Sequence, residues 1–170
     1  TDRHDGVRYN SPNDVVVDGC GRIYFTDPCY GDRALMAMEI EGVYRIDQDG
    51  SVTRILQQPD IQRPNGIAIA PDDRTVYLVD SNPNVGGNRK IWAFDLSTNG
   101  GVSNQRLVYD FAPGRGGDGM RLDVEGNLWI AAGINRPRHK GETTDNATGV
   151  YVVSPAGKLL GCLPIPEDLI

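Results

Sequence analysis

Three oxygen-bearing side chains recur at nearly equal spacing, and they are the residues of this sequence best suited to chemistry. Asn13, Asn65 and Asp118 each stand immediately before a short apolar segment, and they return after 52 and 53 residues. Amide and carboxylate oxygens are the ligands that hard divalent cations such as Ca²⁺ prefer. A regular return of this length indicates that one position of a structural unit is being reused. The spacing therefore predicts that the three side chains converge on one polar, cation-binding site.

Turn capping is the main alternative explanation for these residues. Asn and Asp at the start of a strand commonly bond nearby backbone amides, and for any one residue taken alone this explanation is the better one. The equal spacing of all three reverses that preference. Two amides and one carboxylate supply only one negative charge for a divalent ion. A second carboxylate is therefore expected from elsewhere, since the sequence contains no fourth copy of the motif.

The elements that must position these side chains are short strands. Each recurring residue opens a pair of strands joined by a turn, over residues 13–27, 65–80 and 118–132, and a second pair follows each time, at 42–56, 91–109 and 149–162. β-branched and aromatic residues alternate within these segments, and Gly, Asp and Pro bound them. A convincing helical period is absent, with 33–39 as the one doubtful stretch. An all-β sandwich is the alternative, but it does not require equivalent residues to return at fixed spacing.

Four short strands per unit of about fifty residues are typical of a β-propeller blade. The sequence therefore predicts an all-β fold in which residues 1–170 form a single partial propeller domain of about three blades, with approximate repeats 11–62, 63–116 and 117–170. Rotation about the channel brings equivalent positions to the same mouth, which is the reason to expect Asn13, Asn65 and Asp118 to meet. Asp14, Asp27 and Asp80 also recur near the hairpins and are expected either to support the metal ligands or to cap strand ends.

Composition and charge limit the kinds of partner that this protein is expected to bind. With 17 basic and 23 acidic residues the net charge is −6, which disfavours nucleic acid as a ligand. No apolar run is long enough to cross a bilayer, so we expect a soluble chain with no membrane partner, in the cytoplasm or the periplasm. The three cysteines (Cys20, Cys29 and Cys162) form no C-x-x-C pair, which disfavours a zinc site or a disulfide framework.

Three blades are too few to close a propeller, because at least four are usual. Open blade edges are expected to favour self-association, and two chains of three blades could close as a dimer. Two other motifs have simpler explanations. The Asp47–Gly50 stretch resembles a calcium loop but is better explained as a hairpin turn. His139 could act as an acid or base over the channel, but a solvated basic loop is favoured.

The sequence resembles the family of gluconolactonase, senescence marker protein (regucalcin) and luciferin-regenerating enzyme. The motifs that carry the resemblance run through the whole chain: SPNDVVV at 11–17 with IYFTDP at 23–28, RPNGIA at 63–68 with VYLVDS at 76–81, and GDGMRLD at 117–123 with NLWIA at 127–131. The resemblance implies a six-bladed propeller that holds one divalent metal in its channel and hydrolyses sugar lactones or related esters. Ca²⁺ is favoured as the metal, with Mg²⁺, Mn²⁺ or Zn²⁺ as alternatives.

The same resemblance implies roles for individual residues. Asn65 and Asp118 occupy positions of metal ligands, and Asp118 is also where the proposed general base stands. Asn13 occupies the position of an asparagine that contacts the metal or the substrate. Two departures matter: the family's metal-binding glutamate comes from an N-terminal blade that has no counterpart in this sequence, and Ser11 stands where some members carry a substrate-binding arginine. Ser11 is therefore the second candidate substrate-binding residue.

The prediction that follows is a metal-dependent hydrolase of sugar lactones. The metal would polarise the lactone carbonyl, and the proton of the attacking water would pass to Asp118 or to a metal-bound hydroxide. An aspartate that ligates a cation is a weak base, which favours the hydroxide. A phosphotriesterase using the same site, or a non-catalytic propeller segment that serves binding or assembly, are the alternatives. The lack of a counterpart to the N-terminal glutamate weakens the case for activity of this chain alone. Ser11 in place of an arginine leaves the identity of the substrate undetermined.

Overall fold

The computed structural model describes residues 1–167. A small hairpin of β1 (Arg3–His4) and β2 (Val7–Arg8) opens the chain, and twelve further strands form three antiparallel sheets of four. The first sheet contains β3 (Val15–Val17), β4 (Ile23–Asp27), β5 (Gly42–Ile46) and β6 (Val52–Gln57). The second contains β7 (Pro64–Ile69), β8 (Thr75–Ser81), β9 (Arg89–Leu96) and β10 (Val102–Asp110). The third contains β11 (Gly117–Leu122), β12 (Leu128–Ala132), β13 (Gly149–Val153) and β14 (Leu159–Pro164).

Each sheet is a meander in which every strand pairs with the strand before it and the strand after it. Three successive four-stranded meanders confirm the predicted all-β, blade-like architecture. The doubtful stretch at 33–39 contains a single 3₁₀ turn, Arg33–Leu35, whose N-terminus is capped by the Asp32 carboxylate accepting from the Ala34 amide. Among the described residues this is the one helical element.

One type of tight turn recurs between strands of the sheets. In the first sheet the Gly50 amide donates to the Asp47 carbonyl at 2.9 Å, and Gly50 adopts a left-handed backbone with φ 84°. Glycine tolerates this region at no steric cost, which is why the turn carries Gly in its fourth position. The same pattern recurs at Asp18–Gly21, Ser97–Gly100, Asp123–Gly126 and Ser154–Gly157. The Asp47–Gly50 stretch is thus a hairpin turn, as the sequence predicts.

Two hydrophobic layers hold the three sheets together. Between the first and second sheets, Tyr24 and Val43 pack against Ile67 and Leu78, all of them fully or almost fully buried. A second layer, between the second and third sheets, packs Val79 and Ile91 against residues of β11, β12 and β13 such as Met120, Leu128 and Ile130. The middle sheet is therefore covered on both faces. Burial of this apolar area is the main favourable contribution to folding.

The outer faces of the first and third sheets differ. A third cluster of Tyr9, Phe25, Met38 and Tyr44 covers part of the first sheet, with Tyr9 placed edge-on against both Phe25 and Tyr44. On the third sheet Trp129 and Leu163 are exposed, and every residue of β14 is exposed. Open apolar sheet surfaces are compatible with the predicted self-association, which stays a prediction. Within residues 1–167 no helix has the length and apolar character that crossing a bilayer requires.

Candidate functional site

The first strands of the three sheets, β3, β7 and β11, lie side by side, and two close contacts bring the recurring residues together. Next to Asn13, the Asp14 carboxylate accepts a hydrogen bond from the Ile67 amide on the neighbouring sheet at 3.0 Å. Next to Asn65, a β-carbon on Gly66 would lie 2.5 Å from the Asp118 carbonyl oxygen. Only glycine allows the backbones of β7 and β11 to approach this closely.

Asn13, Asn65 and Asp118 line one pocket of about 350 Å³. Asn65 is 5% exposed, and within residues 1–167 its buried side-chain oxygen Oδ1 has no hydrogen-bond partner. In the same part of the chain, neither the side-chain carboxamide of Asn13 nor the carboxylate of Asp118 has a hydrogen-bond or ion-pair partner. Turn capping therefore does not account for these three side chains in this part of the chain. Buried polar groups are normally paired, so an unpaired oxygen on a residue that lines a pocket indicates a place for a ligand.

Tyr30 lies beside Asn65 in the lining of the pocket. The Tyr30 hydroxyl donates to the Ser81 carbonyl at 3.1 Å, and the Asn65 side chain is near enough to influence the pKa of this hydroxyl. Although 42% of the Tyr30 surface is exposed, its hydroxyl points inward. Burial raises the pKa of Tyr30, and the nearby Asp118 carboxylate raises it further, while the Asn65 side chain opposes both.

The three recurring aspartates have structural contacts of their own. Asp27 accepts from the amides of Asn10 and Ser11, and Asp80 accepts from those of Gln62 and Arg63, so that each ties down the loop that leads into Asn13 or Asn65. Asp14 connects the first sheet to the second through Ile67 and to the third through an ion pair with Arg121 at 3.3 Å. Whether these contacts also support a metal stays a prediction.

The third sheet holds its loop in a different way. Ala132, paired with Gly117, stands where Asp80, paired with Pro64, stands in the second sheet. In the third sheet the loop is held by close packing of glycines and not by a carboxylate. A β-carbon on Gly116 would lie 3.0 Å from Ser81 Oγ, and one on Gly117 would lie 2.7 Å from Ile130.

Two buried charged residues of the loops, Arg89 and Glu142, lie at the rim of the pocket. Arg89 is 4% exposed and donates to five backbone carbonyls, those of Asn82, Pro83, Asn84, Gly87 and Gly141. Burial lowers the pKa of Arg89, and Glu142 opposes this shift. The Glu142 carboxylate, also buried, accepts from the amides of Arg138 and His139 at 2.9 and 3.0 Å. These contacts hold residues 138–142 over the pocket.

The remaining predicted residues lie in different places. Ser11 is exposed and is not among the residues that line the pocket within the described chain, so its substrate-binding role stays a prediction. His139 belongs to an exposed loop, as the sequence favours, yet it also lines the pocket. Residues 1–167 contain no group of three or more His, Cys, Asp or Glu side chains placed to hold a metal. The three cysteines are free thiols.

Sequence reasoning missed Tyr30, Arg89, Arg115 and Glu142, all of which line the pocket. Each lies in a loop or at a strand end, outside the repeated positions. The role of Glu142 has a local basis in the sequence, because its carboxylate accepts hydrogen bonds from backbone amides only three and four positions earlier. Arg89 and Arg115 have no such local signal, since their surroundings come from distant parts of the chain.

Gly66→Ala is expected to destabilise the fold and to disturb the pocket. The added methyl group would meet backbone atoms of Asp118 and Met120 at 2.5 and 2.9 Å, so β7 and β11 would have to separate. Overpacking of this kind costs about 1–3 kcal/mol. Urea unfolding measures the loss. Gly161→Ala, where a β-carbon meets nothing within 4 Å, is the matched control, and equal stability of the two variants would contradict the close contact.

Comparison with known proteins identifies the family to which this chain is similar. The family model described as "SMP-30/Gluconolactonase/LRE-like region" matches residues 1–170. A gluconolactonase from Zymomonas mobilis is 32% identical over 174 residues, covering 95% of this chain and 44% of the relative. Regucalcin from Danio rerio is 32% identical over 126 residues, covering 70% of this chain and 38% of the relative.

Solved structures agree with these sequence matches. The structure of a gluconolactonase from Xanthomonas campestris superposes with a TM-score of 0.76 at 31% identity, covering 99% of this chain and 52% of the other. A luciferin-regenerating enzyme has the same fold, with a TM-score of 0.70 at 24% identity. The chain thus spans about half the length of the relatives that it matches.

Proposed function

Because the chain belongs to the SMP-30/gluconolactonase/LRE-like family, we propose that it contributes to a sugar-lactone hydrolase with one divalent cation held by Asn13, Asn65 and Asp118. One observation carries the proposal: these three side chains line the same pocket, and within residues 1–167 the buried Asn65 Oδ1 has no hydrogen-bond partner. Two amide oxygens and a carboxylate are a donor set that suits an oxygen-preferring ion, with Ca²⁺ favoured over Mg²⁺, Mn²⁺ or Zn²⁺.

The residues of the chain have distinct tasks in this proposal. Tyr30 lies beside Asn65 in the pocket lining, with its hydroxyl held by the Ser81 carbonyl. Asp118 supplies the negative charge of the set, and as the carboxylate beside the substrate it accepts the proton of the water that adds to the lactone carbonyl carbon. The ring C–O bond then breaks, and the ring oxygen takes up a proton to give the hydroxy acid. When bound, a divalent cation polarises the carbonyl and stabilises negative charge on its oxygen.

A further carboxylate would strengthen cation binding. Glu142 lines the same pocket, but the amides of Arg138 and His139 already occupy one of its oxygens. Its contacts therefore support a role in holding the loop rather than in holding the ion. The low negative charge of the set leads us to expect weak binding of Ca²⁺ by this chain, at the millimolar end of the range for calcium sites.

Metal removal tests the proposal. Hydrolysis of gluconolactone by the chain is expected in the presence of millimolar Ca²⁺, to be lost on addition of a chelator and to return when Ca²⁺ is restored. Acid release at constant pH measures the rate. Hydrolysis that is indifferent to the chelator would contradict the role of the cation. Faster hydrolysis of an organophosphate than of the lactone would favour a phosphotriesterase. Failure of calorimetry to detect Ca²⁺ binding, together with no hydrolysis, would favour a binding or assembly module.

A further inference from the structure

Arg115 is placed at the pocket by an unusually constrained piece of backbone. It is the one residue of the segment 114–117 that has a side chain, since Gly114, Gly116 and Gly117 surround it. A β-carbon on Gly114 would clash with the Asn146 side chain, and one on Gly117 would clash with Ile130. The backbone at this point therefore has little freedom to move, and the guanidinium is presented to the pocket from a fixed base.

The Arg115 guanidinium has no partner in the part of the chain that the structure describes. It is partly buried and lines the pocket, yet no hydrogen bond or ion pair engages it in residues 1–167. This sets it apart from Arg89, whose Nη1 and Nη2 groups donate to backbone carbonyls of the surrounding loops. A guanidinium is a rigid fork of donors that matches a carboxylate or a phosphate, and leaving it unpaired near a buried surface is unfavourable.

The charged side chains that line the pocket also favour binding of an anion. Its lining carries the cations Arg89, Arg115 and Arg138 against the anions Asp118 and Glu142, although the whole chain has a net charge of −6. The Glu142 carboxylate is engaged by backbone amides, and Asp118 is engaged by the cation in the proposed function. The pocket lining therefore has one more cationic than anionic side chain on a protein of negative net charge, and this local excess of positive charge favours an anionic ligand.

We propose that Arg115 binds an anionic group of the substrate, so that the preferred lactone is an acidic one. This inference rests on the proposed function for the identity of the reacting group. Arg115 precedes Asp118 by three residues, which places the two backbones at most about 10 Å apart. With the carbonyl of a six-carbon lactone at Asp118, the substituent at the far end of the sugar would lie within reach of the Arg115 side chain. A carboxylate and a phosphate at that position share the required chemistry.

Binding of sugars without a lactone group tests this site independently of catalysis. Calorimetry is performed on the chain with glucose, glucuronate and glucose 6-phosphate. At least one of the two acidic sugars is expected to bind about tenfold or more tightly than glucose, and the tighter of the two identifies the anion. Arg115→Gln is expected to abolish this difference. Arg106→Gln, which removes the same charge from an exposed ion pair with Asp95, is the matched control and is expected to preserve it.

The outcomes separate this inference from the proposed function. Equal binding of glucose and both acidic sugars, or an unchanged preference in Arg115→Gln, would overturn the anion site. Hydrolysis is then compared between gluconolactone and a glucaric acid lactone. If the acidic sugars bind preferentially but neither lactone is hydrolysed, the proposed function fails and the anion site stands. If both lactones are hydrolysed at equal rates and the acidic sugars show no preference, the proposed function stands and Arg115 has no role in selectivity.

Discussion

Asp118→Asn is expected to reduce lactone hydrolysis by at least about 100-fold, because the substitution removes the single carboxylate among the three recurring residues and with it the proton acceptor. Ca²⁺ affinity should fall together with the rate, since the remaining amide oxygens carry no charge. The fold should survive. The Asp118 carboxylate makes no hydrogen bond or ion pair in residues 1–167, so its loss breaks no structural contact there.

The measurement is a steady-state assay of lactone hydrolysis with saturating Ca²⁺, combined with a thermal melt. Asp60→Asn is the matched control, because it makes the same change at an exposed residue outside the pocket. Activity close to that of the control would exclude Asp118 from the chemistry. A variant that retains Ca²⁺ binding but loses turnover would limit Asp118 to proton transfer.

Glu41→Gln is expected to destabilise the protein by about 3 kcal/mol, the largest stability effect that we expect from a single substitution. The Glu41 side chain is 1% exposed. Its carboxylate accepts from the Cys29 amide at 2.7 Å and from the Arg33 guanidinium at 3.1 Å. Arg63 Nε lies 3.2 Å from the same carboxylate, in an ion pair that is too bent to count as a hydrogen bond. Removal of the charge leaves Arg63, itself buried, without its counter-ion.

The effect should extend to the pocket, because the Arg63 guanidinium lies 5.5 Å above the Tyr30 ring. Urea unfolding at neutral pH measures the loss of stability. Glu39→Gln makes the same chemical change at an exposed position two residues earlier and should leave the midpoint in place. If Glu41→Gln does not fold, Arg33→Gln, which removes the partly exposed partner, should still show a smaller loss. Unchanged midpoints in both variants would contradict the importance of the network.

The sequence was sufficient for the architecture because the information about blades is local. Alternating apolar residues, turns with glycine in the fourth position and the return of Asn13, Asn65 and Asp118 all lie within short windows. These features are set by backbone geometry and by the need to cover one face of each strand. The same regularity predicted the meeting of the three side chains in one pocket.

The rim of the pocket was beyond sequence reasoning for a physical reason. Arg89 is held by carbonyls from two loops that lie far apart in the chain, and Tyr30 is held by a carbonyl of the second sheet. No period connects such residues, because loops follow the surfaces on which they pack rather than a repeat. Asp27 and Asp80 show the opposite case: they recur, and the structure gives both the same task of binding amides in the preceding loop.

The two core layers have a consequence for how long the pocket stays assembled. The middle sheet, which carries Asn65, is enclosed on both faces, whereas the third sheet, which carries Asp118, is packed on one face and bare on the other. Within residues 1–167, the position of Asn65 is therefore fixed from two sides and that of Asp118 from one. Local opening requires less free energy where fewer apolar contacts must be broken. Any surface that covers Trp129 and Leu163 is therefore expected to keep Asp118 in the pocket for longer.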